Sequence, residues 1–520
     1  MKKRWLLPLL RRRFLVALLV AAQASFFVYF LFNTSYFSSV IIYIFNAISV
    51  LVALFVLAGH GESSYKLTWV FVILTFPVVG GILYLYFDQH FLRFSLIRRA
   101  RRVETRIAPV MRSTGSTACI AAEHPKSLRY LSDFVGYPAY ADADTTFFAS
   151  GREMLERLKE ELARAERYIF MEYFIIEHGE MWDDILDILL DKVNAGVEVR
   201  IIYDDMGCFL RLPHKYVKIL EKYGIRAARF NPFVPFFSAE QNNRDHRKIT
   251  VIDGKVAFTG GINIADEYIG SIERFGKWAD TAVMVEGDAA WSFALMFLQM
   301  WEIVHKNENE DLLRYLPAKS SEDVTAKEDA LPKTESDAKC SLVLPYADSP
   351  LDSENVGALV YMDIIQNAKK YVYITTPYLV IDDQMRNALT FAAKSGVDVR
   401  IITPHKWDKK LVHMTTRSYY RALWECGVKI YEYTPGFMHA KTVVADDEIA
   451  TVGSINFDYR SLYLHFECGV YLYNTPSVLA VKDTFLAFMD ASEEIVPALP
   501  RRDVFSAFCR AVMRLLAPLL

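Results

Sequence analysis

The chain has 520 residues, of which 52% are hydrophobic and 23% charged, with a formal net charge of −3. That length suits about three to four domains, and the balance excludes a disordered, collagen-like or disulfide-dense protein. The near-neutral total joins unlike parts: residues 1–103 carry twelve Lys or Arg against Glu62 and Asp88, a net +10 that leaves −13 on residues 104–520.

From the N-terminus, residues 14–32, 40–58 and 67–87 lack any charged side chain. Each is close to the roughly 20 apolar residues that cross a bilayer as a helix. Tyr36, Trp69, Tyr84 and Tyr86 lie near their ends, where interfacial rings are expected. Three such stretches in succession predict a membrane anchor over residues 1–103, with two to three apolar helices. Ala22-Gln23-Ala24 also fits a signal-peptide cleavage pattern, but the apolar run continues eight residues beyond it. Arg11, Arg12 and Arg13 precede the first stretch, and Arg98, Arg99, Arg101 and Arg102 follow the third. Both clusters favour the cytoplasm, whereas three full spans would separate them. Pro77 and Gly80-Gly81 make the third stretch the candidate for a broken helix. Residues 104–145 connect this region to the body.

The body reads as one unit used twice. Ala195-Gly196-Val197-Glu198-Val199-Arg200-Ile201-Ile202 recurs as Ser395-Gly396-Val397-Asp398-Val399-Arg400-Ile401-Ile402, and Arg167-Tyr168-Ile169-Phe170-Met171 is echoed by Lys370-Tyr371-Val372-Tyr373-Ile374. Each half alternates β-rich runs with a helix-length segment, which predicts an α/β sheet. The repeats are placed at 146–305 and 346–496, joined by a polar linker over 306–345. Residues 497–520 mix arginines with apolar residues, as an interfacial amphipathic helix or a docked terminal helix would. The six cysteines are scattered without a C-x-x-C pair, so they read as reduced thiols and suit a cytoplasm-facing body.

The chemistry recurs with the repeat. His246-Arg247-Lys248 runs on to Asp253, Gly260 and Asn263; His439-Ala440-Lys441 runs on to Asp446, Gly453 and Asn456. Both follow H-x-K-x4-D-x6-G-x2-N, a coincidence that composition alone would rarely produce twice. The run after each His is β-branched and apolar, so His and Lys at i and i+2 share a strand face. Asp253-Gly254 has the composition of a tight hairpin turn, and the returning strand brings Asn263 back toward the His end. An imidazole, an ammonium and an amide on one face suit a phosphate ester. Asp253 and Asp446 either join that site or close the turns. The other nine histidines, His465 among them, are assigned ordinary core or surface roles.

This duplicated motif resembles the phospholipase D superfamily, in which two repeats pack as a pseudo-dimer around one active site. The Lys66-Leu67-Thr68-Trp69 opening, Gly260-Gly261-Ile262-Asn263 and Trp278-Ala279-Asp280 are similar to bacterial cardiolipin synthases of that type. The resemblance covers residues 66–490. It implies that one histidine attacks phosphorus, giving a phosphohistidine, while the other protonates the departing alcohol. His246 is assigned the attack and His439 the acid–base role. Lys248, Lys441, Asn263 and Asn456 would hold the phosphoryl oxygens, and Asp280 and Glu467 would orient the imidazoles. Ser454 has no counterpart hydroxyl, because Gly261 stands in its place. No cofactor or metal is expected. The expected partners are phosphatidylglycerol and the bilayer rather than nucleic acid, since a nuclease would need a basic body. The expected enzyme is a multi-pass cell-membrane phosphatidyltransferase making cardiolipin and glycerol. A hydrolase, or a transferase with another alcohol acceptor, would use the same residues. A non-catalytic lipid-binding module would not need both histidines.

Overall fold

The computed structural model describes residues 36–59, 62–77, 79–87, 94–114, 124–141, 143–232, 243–305, 310–317, 340–352, 354–497 and 504–519, with the isolated positions 25 and 120. The chain divides into two units, one of residues 1–95, 233–243 and 503–520, the other of 96–232 and 244–502.

In the first unit, helix α1 (Tyr36–Ala58) contains 23 residues and no charge. The third apolar stretch is broken, as expected, into α2 (Ser63–Thr75) and α3 (Val79–Phe87). Pro77 lies in the break, and Gly80 approaches α2 so closely that a Cβ there would come within 2.5 Å of the Val72 carbonyl oxygen. Trp69 meets Tyr84 edge-on at 5.5 Å across the break. Among the described residues no helix is long and apolar enough to cross a membrane, and stretch 14–32 lies outside them except for position 25. The terminal helix Val504–Leu516 docks on α2, where the Thr68 hydroxyl donates to the Leu515 carbonyl at 2.6 Å.

The second unit opens with α4 (Phe94–Thr114), which runs through the expected boundary at residue 103. Leu96, Ala100, Val103, Ile107 and Met111 form its buried stripe, the spacing of one helical face. Arg98, Arg101 and Arg102 point to solvent.

Each repeat then builds a mixed sheet. The first comprises β1 (Thr145–Phe148), β2 (Tyr168–Tyr173), β3 (Glu198–Asp204), β4 (Arg226–Phe230), β5 (Lys248–Ile252), β6 (Val256–Gly260) and β8 (Ala282–Glu286), with the short β7 (Lys277–Ala279) outside it. Its order is β1-β8-β6-β5-β2-β3-β4. The second comprises β9 (Leu342–Asp348), β10 (Tyr371–Thr375), β11 (Asp398–Pro404), β12 (Lys429–Tyr433), β14 (Thr442–Ala445), β15 (Ile449–Gly453) and β16 (Glu467–Tyr473), with β13 (Gly436–Met438) outside it. Its order, β9-β16-β15-β14-β10-β11-β12, matches the first strand for strand, and it is extended at its edges by Tyr140–Ala141 and Ser492–Glu494. The repeats share one apolar core, which takes in Phe170, Ile249 and Val283 together with Val343, Tyr373 and Val470. Helix α5 (Asp288–Val304) buries 14 of its 17 residues there, as a helix apolar all round must.

The expected linker is shorter than its composition suggests. Within 310–317, Glu310 pairs with buried Arg200 at 2.7 Å, and Tyr315 packs against Tyr168 and Phe170. The second repeat also starts early, at Leu342. One anchoring turn is too short to show a periodic pattern. Residues 318–339 are outside the described set.

Candidate active site

Two strand pairings between repeats bring the motifs together. β7 runs parallel to β13, with Trp278 opposite Phe437 and Ala279 opposite Met438. The backbone of His439 continues that contact, its N–H donating to the Ala279 carbonyl at 2.7 Å. On the other side Asp245 bridges Phe466, and the His246 N–H donates to the Phe466 carbonyl at 2.9 Å. Each motif is therefore held by the chain segment carrying the other repeat's carboxylate.

The carboxylates are exchanged. His246 Nδ1 bonds both oxygens of Glu467, at 2.9 and 3.0 Å. His439 Nδ1 lies 2.6 Å from Asp280 Oδ2. A carboxylate accepts only from a protonated nitrogen, so the bonds to Glu467 keep Nδ1–H on His246 and leave its Nε2 without the proton, whereas His439 Nδ1 faces both Asp280 and, at 2.7 Å, Lys441 Nζ. Both acids were candidates on sequence grounds, but their crosswise assignment depends on the pairing between repeats. The Ser454 hydroxyl donates to Glu467 Oε2 and receives the Cys468 N–H at 3.0 Å. In the first repeat Gly261 takes this place because the shorter Asp280 fills it: a Cβ on Gly261 would lie 2.0 Å from Asp280 Oδ1.

Lys248 and Lys441 are each 1% exposed. Lys248 Nζ donates to the His246 carbonyl at 2.5 Å, and Lys441 Nζ donates to the His439 carbonyl. Among the described residues neither has a carboxylate within ion-pair distance. Burial lowers Lys248 from 10.5 to about 8 and Lys441 to about 7, against the pull of Glu467 and Asp280. Burial, then the neighbouring lysines, holds both imidazoles well below the ordinary histidine value. Burial raises Asp280 to about 6. The site thus sets two buried lysines, with no direct ion-pair partner among the described residues, beside two imidazoles whose charged forms burial disfavours.

Other expected members are placed elsewhere. Asp253 accepts the N–H groups of Glu166, Arg167 and Tyr168, each at 2.8 Å. Asp446 accepts those of Lys369, Lys370 and Tyr371 at 2.6–3.0 Å. Both lie in left-handed turn conformations, φ 52° and 58°, at the hairpin ends away from the histidines. Expected among the catalytic residues, both instead lock the turn to the start of the neighbouring strand. Asn263 returns as expected, but its amide is occupied, accepting from Ile175 N–H at 3.0 Å and donating to Tyr268 OH at 2.7 Å. Asn456 is buried, and its Oδ1 has no hydrogen-bond partner among the described residues.

Two further side chains line the site. Trp278 stands 5.2 Å from the His439 ring, and His465 stands 5.6 Å from that of His246. The sequence alone assigns His465 an ordinary role, yet it lies two residues before Glu467 as Trp278 lies two before Asp280. His246, His465 and Glu467 could hold a metal, their ligand atoms lying within 4.8 Å of one another. The ammonium groups that depress His246 oppose a further cation there. Behind the motif, Arg247 is buried and pairs with Glu172 at 2.6 Å, an ionic contact replaced in the second repeat by Ala440 and Thr375.

Residues 158–286 and 361–489 match the family described as cardiolipin synthase, PLD-like domain, and residues 41–87 match phospholipase D-nuclease N-terminal. An uncharacterised protein of Streptococcus mutans serotype c is 44% identical over 459 residues, 87% of this chain and 96% of that protein. A cardiolipin synthase of Alkalihalophilus pseudofirmus is 34% identical over 484 residues, covering 92% and 93%. Among solved structures, the phosphatidylserine synthase of Haemophilus influenzae Rd KW20 has a TM-score of 0.56 at 16% identity, covering 76% of this chain and 100% of that one; this is a likeness of fold. Two α/β repeats of phospholipase D type thus enclose the paired histidines. The chain belongs to the cardiolipin synthase family of phospholipase D-like enzymes.

Proposed function

We propose that the enzyme transfers a phosphatidyl group between two phosphatidylglycerol molecules, forming cardiolipin and glycerol through a phosphatidyl-histidine. The observation that carries this reading is the pair of buried imidazoles, each bonded through Nδ1 to a carboxylate of the opposite repeat and accompanied by a buried lysine. His246 Nε2 attacks phosphorus, and the bond from phosphorus to the glycerol oxygen breaks. His439 gives that oxygen its proton. The entering phosphodiester supplies the negative charge that lets His439 carry the proton. Glycerol leaves, and a hydroxyl of the second phosphatidylglycerol loses its proton to His439 as its oxygen attacks phosphorus. The phosphorus–nitrogen bond breaks and His246 is restored. Lys248 and Lys441 offset charge on the phosphoryl oxygens throughout.

A membrane setting accords with this substrate. The uncharged stretches 14–32 and 40–58 of the sequence support anchoring, and Arg98, Arg99, Arg101 and Arg102 next to the body support its facing the cytoplasm. The test is to incubate purified protein in phosphatidylglycerol vesicles and weigh the lipid products by mass spectrometry. Cardiolipin with one glycerol per turnover is expected. Phosphatidic acid in its place would make the enzyme a hydrolase. Undiminished turnover by both His246→Ala and His439→Ala would remove the histidines from the mechanism.

A further inference from the structure

The C-terminal ends of the parallel strands carry the catalytic groups, since Lys248 is in register with Tyr173, the last residue of β2. The segments that follow β3 and β11 emerge at this same end, one from each repeat. They expose large apolar side chains: Leu210 83%, Met206 38%, Leu411 61%, Trp407 50% and Met414 42%. The first segment is tied to the site wall. Cys208 Sγ receives the Ile176 N–H at 3.2 Å, and the nearby Phe174 ring lies 5.1 Å from His246. The second is fixed by Tyr378, whose hydroxyl donates to Asp408 Oδ2 at 2.5 Å and receives Lys409 Nζ at 3.1 Å. The charge of Lys409 reaches both imidazoles and lowers each.

Apolar tips of this size on a rigid base are costly to leave in water. Around the second segment the charged neighbours are mostly basic, Lys406, Lys409 and Lys410 against Asp408, although residues 104–520 as a whole carry −13; the first segment carries Arg211, which pairs with Glu177 and Glu267. An acidic body is repelled by an anionic bilayer except where such a basic rim faces it, and leucine, methionine and tryptophan beside lysine are suited to the headgroup boundary.

We propose that the segments around Leu210 and around Trp407–Leu411 form a two-pronged docking surface that seats the mouth of the active site on an anionic phospholipid bilayer. The surface lets a phospholipid headgroup enter without its acyl chains leaving the membrane. This rests on the reading of the substrate as a membrane phospholipid.

The test uses the full chain in bilayers of phosphatidylglycerol with brominated acyl chains. Tryptophan quenching is compared between the native protein and Trp407→Phe, and a quenched component lost in the variant is expected. In parallel, a Leu210→Glu/Leu411→Glu variant is assayed on bilayer phosphatidylglycerol and on a short-chain form dissolved as monomers. Bilayer kcat/KM should fall about tenfold per leucine, while monomer turnover stays within about twofold of the native rate. Equal loss on both substrates, or no loss on either, overturns the proposal. So does absence of Trp407 quenching, including the case in which crosslinking at Leu210 captures a second copy. A native enzyme inactive on both substrates would instead refute the substrate reading, and the quenching result would still decide whether the surface meets the bilayer.

Discussion

Lys248 and Lys441 pair with main-chain carbonyls in a buried pocket, so they cost stability until an anion arrives. An amine whose value falls from 10.5 to about 7 or 8 on folding carries its full penalty below the lower value. The penalty fades as pH rises toward 10.5, because the unfolded chain then binds the extra proton. Lys441→Met should therefore raise the melting temperature at pH 7, by more than at pH 10, while abolishing turnover. Calorimetry at the two pH values checks this. The same groups shape the rate profile. In the free enzyme Asp280 takes up a proton near pH 6, and the lysines lose theirs at about 7 to 8. A plot of kcat/KM should consequently be a narrow bell around neutrality, read as the titration of a coupled group rather than of single residues. Asp253 belongs to a different category of residue. Losing a carboxylate that accepts three N–H groups, as in Asp253→Ala, should cost about 1–3 kcal/mol or more of stability with kcat per folded molecule unchanged. Denaturant melts and active-site titration separate the two effects.

At the level of elements, the unit that matters is the strand segment bearing a carboxylate two residues after an aromatic ring: Trp278 with Asp280, His465 with Glu467. Each leaves its own repeat to serve the other's histidine. Glu467→Gln and Asp280→Asn remove the partner that fixes the imidazole tautomer, and kcat should fall about 10²–10⁴-fold with KM little changed. Gly261→Ala should have a related effect by another route, since its methyl group would displace Asp280 from His439. Steady-state kinetics on the folded variant would show kcat loss without a large change in melting temperature.

Much of this was legible in the chain. The duplicated motif announced both histidines and lysines, and the β-rich runs announced the repeated sheet, because local pattern encodes them. The hairpin turn at Asp253-Gly254 was readable from its residue types, but whether its carboxylate faced the site or the neighbouring backbone was not. The exchange of Asp280 and Glu467 was hidden for a similar reason: register between repeats is a property of their packing. Asn263 stands where expected, yet its amide is committed to Ile175 and Tyr268, partners contributed by other parts of the fold. His465 left a usable signal in its spacing from Glu467. The break between α2 and α3 was readable at Pro77 and Gly80.

For the whole molecule, the continuous core and the exchanged carboxylates make the two repeats a single catalytic device. Cutting the chain within 318–339 should give halves that are inactive alone and active when produced together, as phosphatidylglycerol turnover would show. The anchoring proposal has its own check. A membrane-impermeant thiol reagent should leave a cysteine introduced into 318–339 unlabelled in intact cells and label it after lysis; labelling in intact cells would put the body on the outer side. The crosswise bonding also bears on how the enzyme is made. His246 is translated more than two hundred residues before Glu467, so a chain still on the ribosome has this histidine without its carboxylate partner. On the proposed mechanism, chemistry against the cell's own membrane waits until the second repeat has been synthesised and docked, a safeguard that needs no inhibitor and no processing step.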